Sequence, residues 1–248
     1  MLPTMRVIVF ASQKGGSGKT TLSGHIAVEA ERQGCGPVAL IDTDPQGSLA
    51  KWWNVRKDPQ PAFVQSVFSN LFHDLDRARN EGFRLVVIDT PPAVTRAISE
   101  VVGFADLVVL PTRPSPHDMR AVGATVDIVE ARAKNMVFVV NSATPRAKIT
   151  QEAAIALSQH GTVAPVVVHQ RVDFAASMID GRTVMEVDPQ GASAKEVSAL
   201  WSYLHERLQR ADGAAAASGA EDAARSSAMS IMPFGRRAAP AFGRRVTH

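Results

Sequence analysis

Apolar runs of strand length alternate along the chain with longer amphipathic stretches. The runs fall at 6–11, 38–42, 85–89, 107–111, 136–141 and 163–168. Continuous Val/Ile/Leu runs of this kind suit strands buried on both faces, the pattern of a parallel sheet. Helices are expected between and after them, at 19–33, 47–55, 71–80, 95–102, 116–134, 150–160 and 193–209. Strand and helix taking turns predicts an α/β fold: a single domain over 1–210 with a doubly wound, mostly parallel sheet flanked by helices.

The pattern stops after Arg210. Residues 211–248 are rich in Ala, Gly, Ser and Arg without an apolar period and are expected to form a disordered tail. Within it Phe234-Gly235-Arg236-Arg237 recurs as Phe242-Gly243-Arg244-Arg245. A solvated basic tail is the plainer reading; aromatic and paired arginines touching nucleic acid or anionic lipid is the alternative.

With 248 residues and 45% apolar content the chain can bury one full core. Its 27 basic and 24 acidic residues give a formal charge of +3, too small to mark a nucleic-acid binder by net charge. Any DNA contact must come from a local patch. The single cysteine, Cys35, between Gly34 and Gly36, excludes an internal disulfide and a CxxC metal site and reads as a turn residue. No apolar run approaches the roughly 20 residues that span a bilayer, and residues 1–10 are too short and strand-like for a signal peptide. A soluble, cytoplasmic protein is expected.

The chemistry concentrates in Lys14-Gly15-Gly16-Ser17-Gly18-Lys19-Thr20-Thr21, which follows the first expected strand and opens the first expected helix. Glycines let successive backbone N–H groups turn inward, where they join the positive end of the helix in cradling phosphates. Lys19 then neutralises β and γ phosphate oxygens, and the Thr20 hydroxyl ligates Mg²⁺. Two further runs end in carboxylates: 38–42 leads into Asp42-Thr43-Asp44-Pro45-Gln46-Gly47, and 85–89 into Asp89-Thr90-Pro91-Pro92. Carboxylates at the carboxyl ends of parallel strands face the ligand crevice, and Asp89 has the Walker B position for holding a metal-bound water.

The extra lysine at position 14 makes the loop resemble that of the ParA/MinD family of deviant Walker A ATPases, which reads KGGxGKT, and the family's DxDPQ segment is matched at 42–46. The segments 105–116, His169-Gln170-Arg171 and Ile179-Asp180-Gly181 resemble the short plasmid-partition members, so the similarity covers about residues 5–208. The resemblance implies ATP and Mg²⁺ as ligands and a homodimer in the ATP state, with Lys14 reaching the partner's nucleotide. It also implies that Asp44 orients the attacking water and Asp42 supports the Mg²⁺ shell. Asn141 stands where family members place an amide against adenine; a strand-end turn residue is the alternative. No helix-turn-helix precedes the loop, so specific operator binding is not expected.

The reading that follows is a partition or positioning ATPase that dimerises on ATP, binds DNA without sequence preference and is discharged by an activating protein, ParB-like or a small centromere-binding protein, in the cytoplasm on the nucleoid. Candidate phosphate-backbone contacts are Arg146, Lys148, Arg171, Arg182, Lys195, Arg207 and Arg210. A MinD-like membrane switch is the alternative, disfavoured because Pro233, Gly235, Pro240 and Gly243 oppose a terminal amphipathic helix. A metabolic enzyme on the same fold is a third reading, and the missing cysteines argue against an iron–sulfur reductase.

Overall fold

A computed structural model describes residues 4–93 and 95–229, those from 211 onward by backbone alone. The chain divides into two compact units, Met1–Leu208 and Gln209–His248. In the first, seven strands form one parallel sheet: β1 (Arg6–Phe10), β2 (Val38–Asp42), β3 (Ala62–Gln65), β4 (Leu85–Asp89), β5 (Leu107–Thr112), β6 (Met136–Val140) and β7 (Thr162–Val163), in the order β3-β2-β4-β1-β5-β6-β7. The helices are α1 (Lys19–Arg32), α2 (Ser48–Asn54), α3 (Leu71–Asn80), α4 (Arg96–Gly103), α5 (Pro116–Ala131), α6 (Lys148–Ser158), α7 (Val172–Met178), α8 (Val184–Val187) and α9 (Ala192–Met229).

Side chains alternate across each strand, which sorts the apolar runs into two cores. Ile8, Phe10, Leu40, Val87 and Val109 pack against Leu22 and Ile26 of α1, Trp52 of α2, and Leu200 and Trp201 of α9. Val7, Val9, Ile41, Ile88 and Val108 meet Leu75 of α3, Ile98 and Val102 of α4, Val129 of α5 and Leu157 of α6. Both faces are covered, so the expected doubly wound fold is the one observed.

Three differences have local causes. β3 is half-buried, short and paired only with β2, so it carried no apolar run to betray it. The run at 163–168 gives only the two-residue strand β7, because Pro165 lacks an N–H donor; beyond it the chain stays near β6 through Ala164 N to Phe138 O at 2.8 Å and Val168 N to Val140 O at 3.0 Å. The backbone from 211 through Met229 is helical, where no element was expected. Alanine is the strongest helix former, and a missing apolar period argues against packing, not against helix. Both Phe-Gly-Arg-Arg copies lie outside the described residues. No helix among the described residues is long and apolar enough to cross a membrane.

Candidate nucleotide site

The site is assembled by register. β4 lies between β1 and β2, with Phe10 and Asp42 both opposite Asp89, so the loop after β1 and the two acidic strand ends share one edge. Residues 11–18 cross from Phe10 to α1 with Gly16 at φ 73° and Gly18 at φ 98°, backbone angles that favour glycine. At Gly18 there is a second reason: a Cβ would lie 2.0 Å from Asn141 Nδ2. No side chain caps the start of α1, which leaves its first N–H groups to a ligand.

Lys19 is buried and its Nζ donates to the Lys14 carbonyl at 3.4 Å. Burial pulls its ammonium below the ordinary lysine range, against Asp89 and Asp44, which hold the charge. Thr20 Oγ1 donates to Asp89 Oδ2 at 2.7 Å, and Ser23 Oγ lies 3.5 Å from Asp89 Oδ1. Burial pushes the Asp89 carboxyl up to about 7; the Thr20 bond and Lys19 oppose that rise, while Asp42 and Asp44 add to it. A carboxylate at 1% exposure with two acidic neighbours fits a cation site, and its oxygen donors with Thr20 suit a hard divalent ion such as Mg²⁺.

Asp42 and Asp44 are built differently. Both oxygens of Asp42 accept backbone N–H groups, from Asp44 at 2.9 Å and Ala50 at 3.0 Å, so Asp42 ties the loop to the first turn of α2. Burial raises its carboxyl, with these N–H groups opposing. Asp44 is half-buried and accepts from Gln46 N at 2.9 Å through Oδ1. Lys14, by contrast, is exposed at the lip of the loop.

A cleft of about 330 Å³ runs from Gly16, Lys19 and Thr20 to Asn141, Gln170, Arg171 and Phe174. Asn141 is buried and donates Nδ2 to the Ser17 carbonyl at 2.7 Å, bracing the phosphate loop from β6 while it lines the cleft. Arg113, from the turn after β5, lines the cleft with its guanidinium over Gly16. Arg113 falls in the segment 105–116 whose resemblance carried no role for it, and Phe174 and Glu196 come from stretches with no motif of their own.

The seven basic candidates stand in different surroundings. Arg171 lines the nucleotide cleft and pairs with Glu196, and Arg182 pairs with Asp180 at 2.7 Å. Arg146 and Lys148 are exposed at the start of α6; Lys195 is exposed on α9, Arg207 is half-buried and Arg210 is exposed.

Comparison with known proteins bears on the fold and the family. Over 200 residues the chain is 30% identical to the maintenance of carboxysome distribution protein A of Halothiobacillus neapolitanus, a span that is 76% of this chain and 91% of that protein. It is 26% identical to the chromosome-partitioning ATPase Soj of Thermus thermophilus, over 84% of this chain and 98% of Soj. The fold matches the cell division ATPase MinD of Pyrococcus furiosus with a TM-score of 0.69 at 17% identity, covering 82% and 99% of the two chains. The profile of the CobQ/CobB/MinD/ParA nucleotide binding domain matches residues 8–184, and since that is well over half of the sequence, the chain belongs to this family of P-loop nucleotide-binding proteins.

Proposed function

We propose that this chain is an ATP-driven positioning ATPase, which pairs with a second copy across bound Mg-ATP, holds DNA without regard to sequence, and hydrolyses ATP when a partner protein engages it. The observation that carries this reading is the division of labour between two lysines: Lys19 is buried inside the phosphate loop, and Lys14 stands exposed at its lip. A cation already inside serves its own nucleotide, and a second one facing outward is placed to serve another subunit's.

In this mechanism the loop N–H groups and Lys19 bind the phosphates, and Thr20 with Asp89 would hold Mg²⁺. When bound, Mg²⁺ neutralises phosphate oxygens and aligns the transferring group. Asp42 fixes the loop on which Asp44 stands, and Asp44 orients the water whose oxygen attacks the γ phosphorus as the bridging bond to ADP breaks. Lys14 from the second copy adds positive charge as that bond breaks, so turnover waits for dimer formation. Among the basic candidates, Arg146, Lys148, Lys195, Arg207 and Arg210 are exposed or half-buried cations offered to DNA phosphates.

By their names, the relatives distribute carboxysomes or partition chromosomes, which supports a large assembly as the cargo here. The test is light scattering after size exclusion, with and without Mg-ATP, on the parental protein and on Lys14→Ala, followed by retention on an arbitrary DNA duplex across a salt series. A nucleotide-dependent dimer, weakened by Lys14→Ala and released from DNA by salt, is expected. A protein that stays monomeric with ATP would sink the reading. Liposome flotation with and without residues 211–248 separates it from a membrane switch.

A further inference from the structure

One carboxylate on α9 grips a segment that lines the cleft. Glu196 accepts from the backbone N–H of His169 at 3.0 Å (Oε2) and faces His169 Nδ1 at 2.7 Å (Oε1). Arg171 adds a two-pronged pair, Nη1 to Oε2 and Nη2 to Oε1, each at 2.7 Å. A carboxylate can only accept, so all four contacts require donors, and the fork fixes the plane of the guanidinium. Burial alone would push the Glu196 carboxyl up; the bonds from Arg171 and His169 outweigh it and hold the group below its ordinary range.

The segment so gripped is otherwise held through its backbone, with Gln170 N donating to the Ala143 carbonyl at 2.9 Å. It lies between a single bridge, Ala143 to His169, and the start of α7 at Val172, where no side chain caps the helix. Yet His169, Gln170 and Arg171 all line the nucleotide cleft. With Lys19, Thr20 and the loop amides assigned to phosphate, this wall is left for the nucleoside, and a guanidinium locked in plane offers a flat face to a purine ring.

We propose that Glu196 is a positioning residue for the nucleobase: by holding His169 and Arg171 it fixes the surface on which the base rests, so that affinity for the base, and not for the phosphates, depends on α9. The proposal rests on the cleft being an ATP site. Its test is calorimetric titration of full-length protein with Mg-ATP and, separately, with Mg-tripolyphosphate, which has no base. In Glu196→Gln an NH₂ group replaces one acceptor and confronts the donors of Arg171 or His169. The expected result is an ATP Kd raised about tenfold, about 1.4 kcal/mol, with tripolyphosphate Kd within about twofold of the parent. Arg171→Ala should behave alike, and combining the two should cost no more than Arg171→Ala alone. Equal weakening of both ligands, no change in either, or additive losses would overturn the proposal. Lys19→Ala should lose both ligands; if it binds both as the parent does, the ATP reading itself has failed, whatever Glu196 does.

Discussion

His25 sits on α1, one turn beyond the phosphate loop, with no exposure to solvent. Its Nδ1 is 2.7 Å from the Thr21 carbonyl, its Nε2 accepts from Val184 N at 3.2 Å, and its ring meets Phe174 with centroids 5.2 Å apart. One nitrogen must donate and the other accept, so the fold requires the neutral ring. Burial lowers its pKa from 6.5 to about 4; the Thr21 carbonyl and Glu186 oppose that change and Arg56 adds to it. With the folded value depressed, the stabilisation is complete above pH 6.5 and is lost as pH falls toward 4. At about 1.36 kcal/mol per pH unit, the loss is about 2 kcal/mol by pH 5 and about 3 kcal/mol by pH 4.

The perturbation is His25→Gln, whose amide can donate to Thr21 and accept from Val184 but does not titrate. At pH 7 it should cost about 1–2 kcal/mol through lost packing. Because its stability lacks the histidine's acid slope, the gap to the parent should shrink by about 2 kcal/mol between pH 7 and pH 5. Asp89 acts with the opposite sign: its folded value is raised to about 7, so its contribution is present at low pH and lost as pH rises through that value. That term is common to both proteins and cancels in the comparison. Urea unfolding followed by tryptophan fluorescence at pH 7, 6 and 5 reads the difference directly. Parallel stability curves for the two proteins would refute the reasoning.

Three further outcomes are expected. Asp44→Ala should keep ATP binding but slow hydrolysis by about 10²-fold or more, leaving a long-lived ATP dimer in light scattering; turnover at the parental rate would remove Asp44 from its role. Gly18→Ala should weaken ATP binding at least about tenfold and cost about 1–3 kcal/mol, since its φ is 98° and the new Cβ strikes Asn141; calorimetry and urea midpoints measure the two effects. Gly181→Ala should cost about 3–5 kcal/mol, because its φ is +80° and a Cβ would stand 2.4 Å from the Arg56 Cα, an atom that cannot swing aside. Gly34→Ala is the control, with φ +72° and nothing within 4 Å; equal thermal shifts for Gly34→Ala and Gly181→Ala would show that the clash contributes nothing.

The sequence alone determined the sheet's interior, the helices that cover it and the phosphate loop, because each is written in neighbouring residues. Apolar runs mark strands buried on both faces, and Gly16, Gly18, Lys19 and Thr20 carry their chemistry in fixed spacing. Tertiary structure decided what depends on distant partners. β3 is a strand only because β2 supplies its bonds, and α7 and α8 are too short to show a helical period. Register set Asp42 beside Asp89, and the turn into α2 brought backbone N–H groups to both Asp42 oxygens, a difference from Asp44 that two aspartates in one motif could not reveal. Arg171, expected as a DNA contact, lines the cleft and is forked onto Glu196, 25 residues away, a pairing no local pattern records. Local pattern records which groups a short segment needs to bury, whereas a side chain's charge finds its partner only after the chain has folded back on itself.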